Sequence, residues 1–341
     1  MEPNYGDWLA EYRALRETAG LLDLSARSRL CVVGADRVRF LHGQVTNDIK
    51  KLRVGEGCYA AITTNKGRME SDLNIFVLPD ELLLDFEPGL AGKMIARLEK
   101  FIVADEVQIV DVAAHYGLLS VQGPKAGEAV RALDLGADLP EKQFASVKVS
   151  HPAWGEIYLA RHARLGGNGF DLFVPTDSLA SFTGRLLAAT KNLGGRQCGS
   201  TAYETARVEN GLPRFGADMD ETNLPPECGI EARAISYQKG CYIGQEVLNR
   251  IHSIGRVNRE LCGLRLADDG RTLPVRGDGL FHDGKEVGVV TSAVRSPSLG
   301  PIALGCVRRE AGLPGTALQV RRAEGDQPAT VTSLPFMPFE P

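Results

Sequence analysis

Eight consecutive residues, Lys239-Gly240-Cys241-Tyr242-Ile243-Gly244-Gln245-Glu246, bring a thiol, an amine and two glycines into one short stretch. Gly240 and Gly244 permit positive φ angles and close backbone approach, so Cys241 is presented at a tight turn instead of inside a regular element. Lys239 lies two positions before the thiol, and Arg250, His252, Arg256 and Arg259 follow it. Positive neighbours favour the thiolate, which makes Cys241 a candidate nucleophile, redox-sensitive thiol or soft-metal contact. Taken as an isolated cysteine, it better fits a buried residue in a glycine turn beside a solvated basic run. The run from Arg250 to Arg259 suits the anionic tail of a ligand or an acidic partner, and is too short to imply nucleic acid.

Asp72 is the second candidate. From Met69 to Leu78 the residues alternate, with Met69, Ser71, Leu73, Ile75 and Val77 on one side and Glu70, Asp72, Asn74 and Phe76 on the other. Such a strand has one largely apolar face and one polar face that could line a cavity. Tyr59, in Gly57-Cys58-Tyr59, falls on the preceding strand and either closes that cavity or packs.

Metal chemistry has no pattern to support it. The seven cysteines are scattered without the short gaps of a metal knuckle or redox pair, and read as reduced thiols of a cytoplasmic-type compartment. The lone histidines His42, His115, His151, His162 and His282 lack ligand spacing. A net charge of -4 argues against wholesale nucleic-acid binding. The opening Met1-Glu2-Pro3-Asn4 lacks a signal-peptide pattern and no segment is apolar for long enough to span a bilayer, so a soluble protein is expected.

The elements that must position these residues are of mixed type. Helical spacing marks Trp8 to Leu15 after Asp7, Val38 to Val45 after Asp36, Leu90 to Phe101, a helix after Pro124, one through Leu179 to Leu186 capped by Asp177, and Thr201 to Asn210. Strands are expected at Arg29 to Val33, Cys58 to Thr64, Met69 to Leu78, Val107 to Val110, Leu118 to Gln122, Glu156 to Ala160 and Phe170 to Pro175. Asn65-Lys66-Gly67-Arg68 reads as the turn of a hairpin. Beyond Arg256, short β-like runs between Gly, Pro and Asp turns predict a small all-β unit, a barrel. At 341 residues the chain exceeds one ordinary core. The fold class predicted is α+β, with antiparallel sheets and a C-terminal β-barrel.

Several motifs fall in one order: Phe40-Leu41-His42-Gly43-Gln44-Val45-Thr46-Asn47-Asp48, Val121-Gln122-Gly123-Pro124, Arg207-Val208-Glu209-Asn210-Gly211-Leu212-Pro213, Leu224-Pro225-Pro226-Glu227 and Gly288-Val289-Val290-Thr291-Ser292. Together they resemble the glycine-cleavage T-protein superfamily over nearly the whole chain. The octet from Lys239 resembles its YgfZ-type branch, since the aminomethyltransferases have a stretch similar to Lys-x-x-Phe-Ile-Gly-Lys-Glu without this cysteine.

That resemblance implies a three-domain cloverleaf. Residues 1–50 and 115–250 would form a discontinuous first, folate-binding domain, 51–114 an inserted ferredoxin-like domain, and 251–341 the barrel. It implies tetrahydrofolate or a one-carbon derivative as cofactor, with Asp72 at the position of a T-protein aspartate that orients the folate and assists proton handling. Tyr59, Glu227, Arg250 and Arg256 are the expected folate-binding residues beside Asp72, and Cys241, Lys239 and Asp72 the expected catalytic ones. One departure stands out: the T-proteins carry a pterin-holding glutamate in Gly-Tyr-Thr-Gly-Glu, and Ala163-Arg164-Leu165-Gly166-Gly167 puts Gly167 there. Folate would then bind more weakly, or be held by another acid such as Asp171, Glu209 or Glu227. The function implied is folate-dependent assembly or repair of iron–sulfur proteins, with client or assembly proteins as partners. The alternative is a folate-dependent aminomethyltransferase or related demethylase, and a third reading is a folate-sensing scaffold without chemistry.

Overall fold

The computed structural model describes residues 1–268, 270, 272–322 and 325–339. Three β-structures carry the chain, and their pairing is antiparallel apart from one short parallel contact, Gly20–Asp23 beside Arg196–Gln197. The α+β class with a C-terminal barrel is what the sequence led us to expect.

The first sheet has six strands, in spatial order Arg196–Gln197, Gly20–Asp23, Tyr116–Gln122, Gly169–Pro175, Gly155–Arg161 and Ser146–His151. Leu21, Leu119, Val121, Leu159, Leu172 and Val174 bury one face of it against Phe182 and Leu186 of the long helix Thr176–Asn192. That helix starts on Pro175, with Asp177 in its first turn and making no side-chain cap, contrary to the expected role of Asp177.

The second sheet runs Gly57–Thr63, Met69–Val77, Glu81–Phe86, Ser28–Val33 and Gln108–Asp111. Ser28–Val33 lies in its interior, pairing Leu30 with Leu84 and Cys31 with both Leu83 and Val110. This sheet therefore takes in residues from Ser28 onward, whereas the sequence reading began the inserted unit at 51. The pairing partners lie about fifty and eighty residues away, beyond the reach of local periodicity. The alternation read in Met69–Val77 is real: Leu73, Ile75 and Val77 are buried with Phe40, Leu41, Met94 and Leu98, while Asp72 and Asn74 face the other way. Where the chain passes between the sheets, buried Arg29 donates to the carbonyls of Ser25, Arg27, Ala113 and Tyr116, fixing both crossing strands with one guanidinium.

The third structure is a closed barrel of Arg259–Leu266, Gly300–Arg308, Lys285–Ser296, Gly279–His282, Ala317–Arg321 and Gln327–Thr332. It is joined to the helix Ser200–Glu209 by a buried network. Arg207 donates to Asp218 at 2.7 Å, and Asp218 accepts from Thr291 and Ser292 of the barrel, also at 2.7 Å. No helix among the described residues is long and apolar enough to cross a membrane.

Candidate functional site

A cavity of about 390 Å³ opens where the polar face of the second sheet meets the loop after Gly155–Arg161 and the helix Ser200–Glu209. Tyr59, Asp72, Asn74 and Glu87 reach it from the second sheet and its edge. Phe144, His162, Arg164 and Gly166 line the opposite side, with Tyr203, Arg207, Arg214 and Arg233 completing the wall. The volume lies within the range of small-molecule sites, and the lining mixes aromatic rings with a few convergent charges.

Asp72 pairs in register with Ala61 and Asn74 with Tyr59, so Tyr59 and Asp72 form a diagonal cross-strand pair. The Tyr59 hydroxyl donates to Asp72 Oδ2 at 2.7 Å. Burial, with the Glu87 carboxylate nearby, raises the Asp72 carboxyl to about 6, and the Tyr59 hydrogen bond only partly opposes this. Burial and Asp72 push the Tyr59 hydroxyl well above its ordinary value, so it stays a donor. A carboxyl poised near 6 takes up and releases a proton close to neutral pH, as an acid–base residue must.

The other buried acids beneath the cavity are held ionised. Asp85 accepts from Arg27 Nε at 2.7 Å, Arg164 Nη2 at 2.7 Å and Asn74 Nδ2 at 2.9 Å. Burial alone would raise its carboxyl, but Arg164 and Arg27 outweigh burial and hold it well below the usual range. Asp171 likewise binds Arg164, at 2.6 Å, and His162 Nδ1, at 2.8 Å; burial would raise its carboxyl, and Arg164 and His162 keep it low. Burial and Arg164 keep the His162 imidazole below its ordinary value. Arg164, in the segment similar to Gly-Tyr-Thr-Gly-Glu, thus bridges the two sheets from beneath the cavity. Gly167 contributes no carboxylate there, but Glu87 does: it lines the cavity and is gripped by Arg27 and by Arg214 at 3.4 Å.

Of the expected site residues, the structure brings only Asp72 and Tyr59 together. Glu227 is buried elsewhere, accepting from the Leu224 N–H at 2.9 Å and from Arg259 at 3.3 Å, so its carboxylate is spent on a local turn. Glu209 binds Tyr12, Arg16 and Ser296 outside the cavity. Arg250 lies exposed on the helix Gln245–Ile254, and Arg256 lines a separate surface cleft with Arg259, Arg308 and Arg309.

The octet also stands apart from the cavity. Its last two residues are not loop, since the helix Gln245–Ile254 begins straight after Gly244. Gly244 has φ +91°, and a Cβ there would sit 2.5 Å from Thr63 Oγ1, so this glycine is dictated by the close approach of the second sheet's hairpin. Lys239 is buried and gives all three N–H groups to carbonyls, of His42 and Val45 at 2.6 Å and Asn47 at 2.8 Å. Its amine is lowered to about 8 by burial. Committed to the end of the helix Arg37–Gln44, it anchors the loop and has no free N–H for the Cys241 thiol, which corrects the expectation of a thiolate-stabilising neighbour. Of the seven cysteines, all described, only Cys241 is exposed.

Sequence reasoning missed Glu87, Arg27, Arg164 and Arg233. One signal was available for this cluster: Asp85 is a charge inside the apolar run Leu82-Leu83-Leu84-Asp85-Phe86, and a buried carboxylate demands cationic partners.

With this geometry in hand, comparisons with known proteins define the class. The GCVT N-terminal domain family matches residues 4–239, and the glycine cleavage T-protein C-terminal barrel domain family matches 259–337. The chain belongs to the glycine-cleavage T-protein family. An aminomethyltransferase of Herpetosiphon aurantiacus is 31% identical over 98% of this chain and 91% of its own length. One from Halalkalibacterium halodurans is 30% identical over 96% of this chain and 88% of its own. The crystal structure of glycine cleavage system aminomethyltransferase T from Bartonella henselae superimposes with a TM-score of 0.86, covering 97% of this chain and 90% of that one at 24% identity, a likeness of fold. Membership stands at the level of the family; these relatives lend no support to the YgfZ-type branch suggested by the octet.

Proposed function

We propose that the cavity binds a reduced folate and that the protein catalyses folate-dependent one-carbon transfer of the aminomethyltransferase kind. The observation that carries this reading is Asp72: a carboxyl raised to about 6, held by Tyr59 at 2.7 Å in a cavity between two sheets. Enzymes of this family use tetrahydrofolate, a carrier of one-carbon units. The residues present suit it. Asp72 and Glu87 supply acceptors for the N–H groups of a pterin, and Tyr59, Phe144 and Tyr203 supply flat apolar surface. Glu87, clamped by Arg27 and Arg214, takes the part that Gly167 leaves vacant. Asp72 accepts a proton as the one-carbon unit is transferred and returns it afterwards, with Tyr59 fixing the carboxylate's direction.

The test is calorimetric titration of tetrahydrofolate into wild type and Asp72→Asn, combined with an assay for methylene-tetrahydrofolate formed from an aminomethylated lipoyl carrier. Binding together with turnover that Asp72→Asn abolishes is the expected result. No binding at millimolar ligand sinks the folate reading.

A second reading, iron–sulfur assembly or repair through Cys241, is favoured by the exposure of that thiol on a loop anchored by Lys239. It predicts that Cys241→Ser, in cells lacking the native protein, lowers iron–sulfur enzyme activities while leaving folate binding intact. Unchanged activities in those cells end it.

A further inference from the structure

Five arginines line the cavity, and four are already engaged. Arg27 is held by Asp85 and Glu87, and Arg164 by Asp85 and Asp171. Arg207 pairs with Glu204 and Asp218, each at 2.7 Å, and Arg214 with Glu204 at 3.2 Å and Glu87 at 3.4 Å. Arg233 differs: its side chain makes no ion pair among the described residues, and the residue is exposed. It is nonetheless fixed in place. Its carbonyl accepts from Asn47 Nδ2 at 3.1 Å, and its guanidinium carbon lies 5.4 Å from the centre of the Tyr59 ring.

One ring therefore carries both ends of the site, since the hydroxyl of Tyr59 holds Asp72 and its face carries Arg233. Asp72 is at the sheltered end and Arg233 at the solvent end. A ligand with its hydrogen-bonding ring at Asp72 directs its remaining length along Tyr59 toward an uncompensated positive charge. We infer that Arg233 is the anchor for a carboxylate tail of the ligand. This rests on the folate reading and deepens it: for a reduced folate, Arg233 takes a carboxylate of the glutamate moiety and makes the site prefer tailed folates over free pterins. The basic residues first considered for that task, Arg250 and Arg256, lie outside the cavity.

The contact is a charge-assisted hydrogen bond at a partly solvated position, so its loss lowers affinity about tenfold and the effect shrinks with added salt. The experiment titrates wild type, Arg233→Ala and Arg233→Lys with tetrahydrofolate and with 6-methyltetrahydropterin, which has no tail. Arg233→Ala is expected to weaken tetrahydrofolate binding about tenfold and leave the tail-less pterin unchanged. Arg233→Lys, which keeps the charge but loses the planar fork, should recover part of the loss. If wild type binds both ligands and Arg233→Ala weakens neither, or both equally, the anchor is refuted while the folate reading stands. If wild type binds neither ligand, the folate reading falls and the assignment of Arg233 falls with it.

Discussion

Replacing Asp72 by Asn should make the protein more stable while removing its activity, and the size of the gain should depend on pH in a calculable way. Asn keeps the acceptor for the Tyr59 hydroxyl and mimics the protonated acid. The carboxyl moves from its ordinary 3.8 to about 6 on folding. Its folded form binds the proton more tightly than its unfolded form, so the contribution of Asp72 is greatest below 3.8 and is lost as pH rises through 6. At about 1.4 kcal/mol per unit, the ionised side chain costs the native state about 3 kcal/mol above pH 7, about half of that near pH 5, and almost nothing near pH 3. Urea unfolding of wild type and Asp72→Asn near pH 5 and 7.5 measures the difference directly. The expected pattern is a gain for Asn that doubles between the two pH values. A variant that is less stable at both, or shifted equally at both, would refute a raised Asp72 and with it the argument for a proton-handling residue.

Two further consequences follow from the same contacts. Tyr59→Phe removes the donor that favours ionised Asp72, worth about 1 kcal/mol, so the acidic limb of the rate profile should move to higher pH by somewhat under one unit; an unmoved limb would count against Asp72 as the titrating group. Lys239→Met strips three buried carbonyls of their donor and should destabilise the fold by about 2–4 kcal/mol in urea, whereas Cys241→Ser should leave stability nearly unchanged; equal losses would mean that Lys239 does not act as an anchor.

The sequence disclosed much of what depended on local pattern, though not the cap of the helix Thr176–Asn192. Period-two alternation in Met69–Val77 put Asp72 on the polar face, and the turn-rich run beyond Arg256 announced the barrel. It did not disclose which strands meet. Ser28–Val33 looks locally like any buried strand, and only its pairing with Glu81–Phe86 and Gln108–Asp111 brings Arg27, Asp85 and Glu87 beneath one cavity. Proximity in sequence was equally misleading for the octet. Lys239 and Cys241 are two residues apart, but the amine is drawn inward by the unsatisfied carbonyls of a helix end while the thiol faces solvent. Glu227 matched a family element and failed as a pocket residue because its carboxylate closes its own turn.

The charges around the cavity divide according to whether they satisfy one another, and that division bears on why Asp72 alone of the cluster is raised toward neutral pH. A carboxylate beside a free guanidinium has a depressed pKa and is a poor base at neutral pH. Arg27 lies close enough to lower Asp72, but Asp85 and Glu87 occupy its guanidinium and its pull only partly opposes burial. Ion pairs so deeply buried contribute little net stability, because desolvation offsets most of their attraction. Their value here is positional. Among the described residues Asp72 is left with a neutral hydroxyl as its only side-chain hydrogen-bond partner, and burial, with Glu87 beside it, raises it to about 6. The buried acid between two arginines and the titrating acid beside one tyrosine are two results of the same pairing of Ser28–Val33 and Met69–Val77 with Glu81–Phe86.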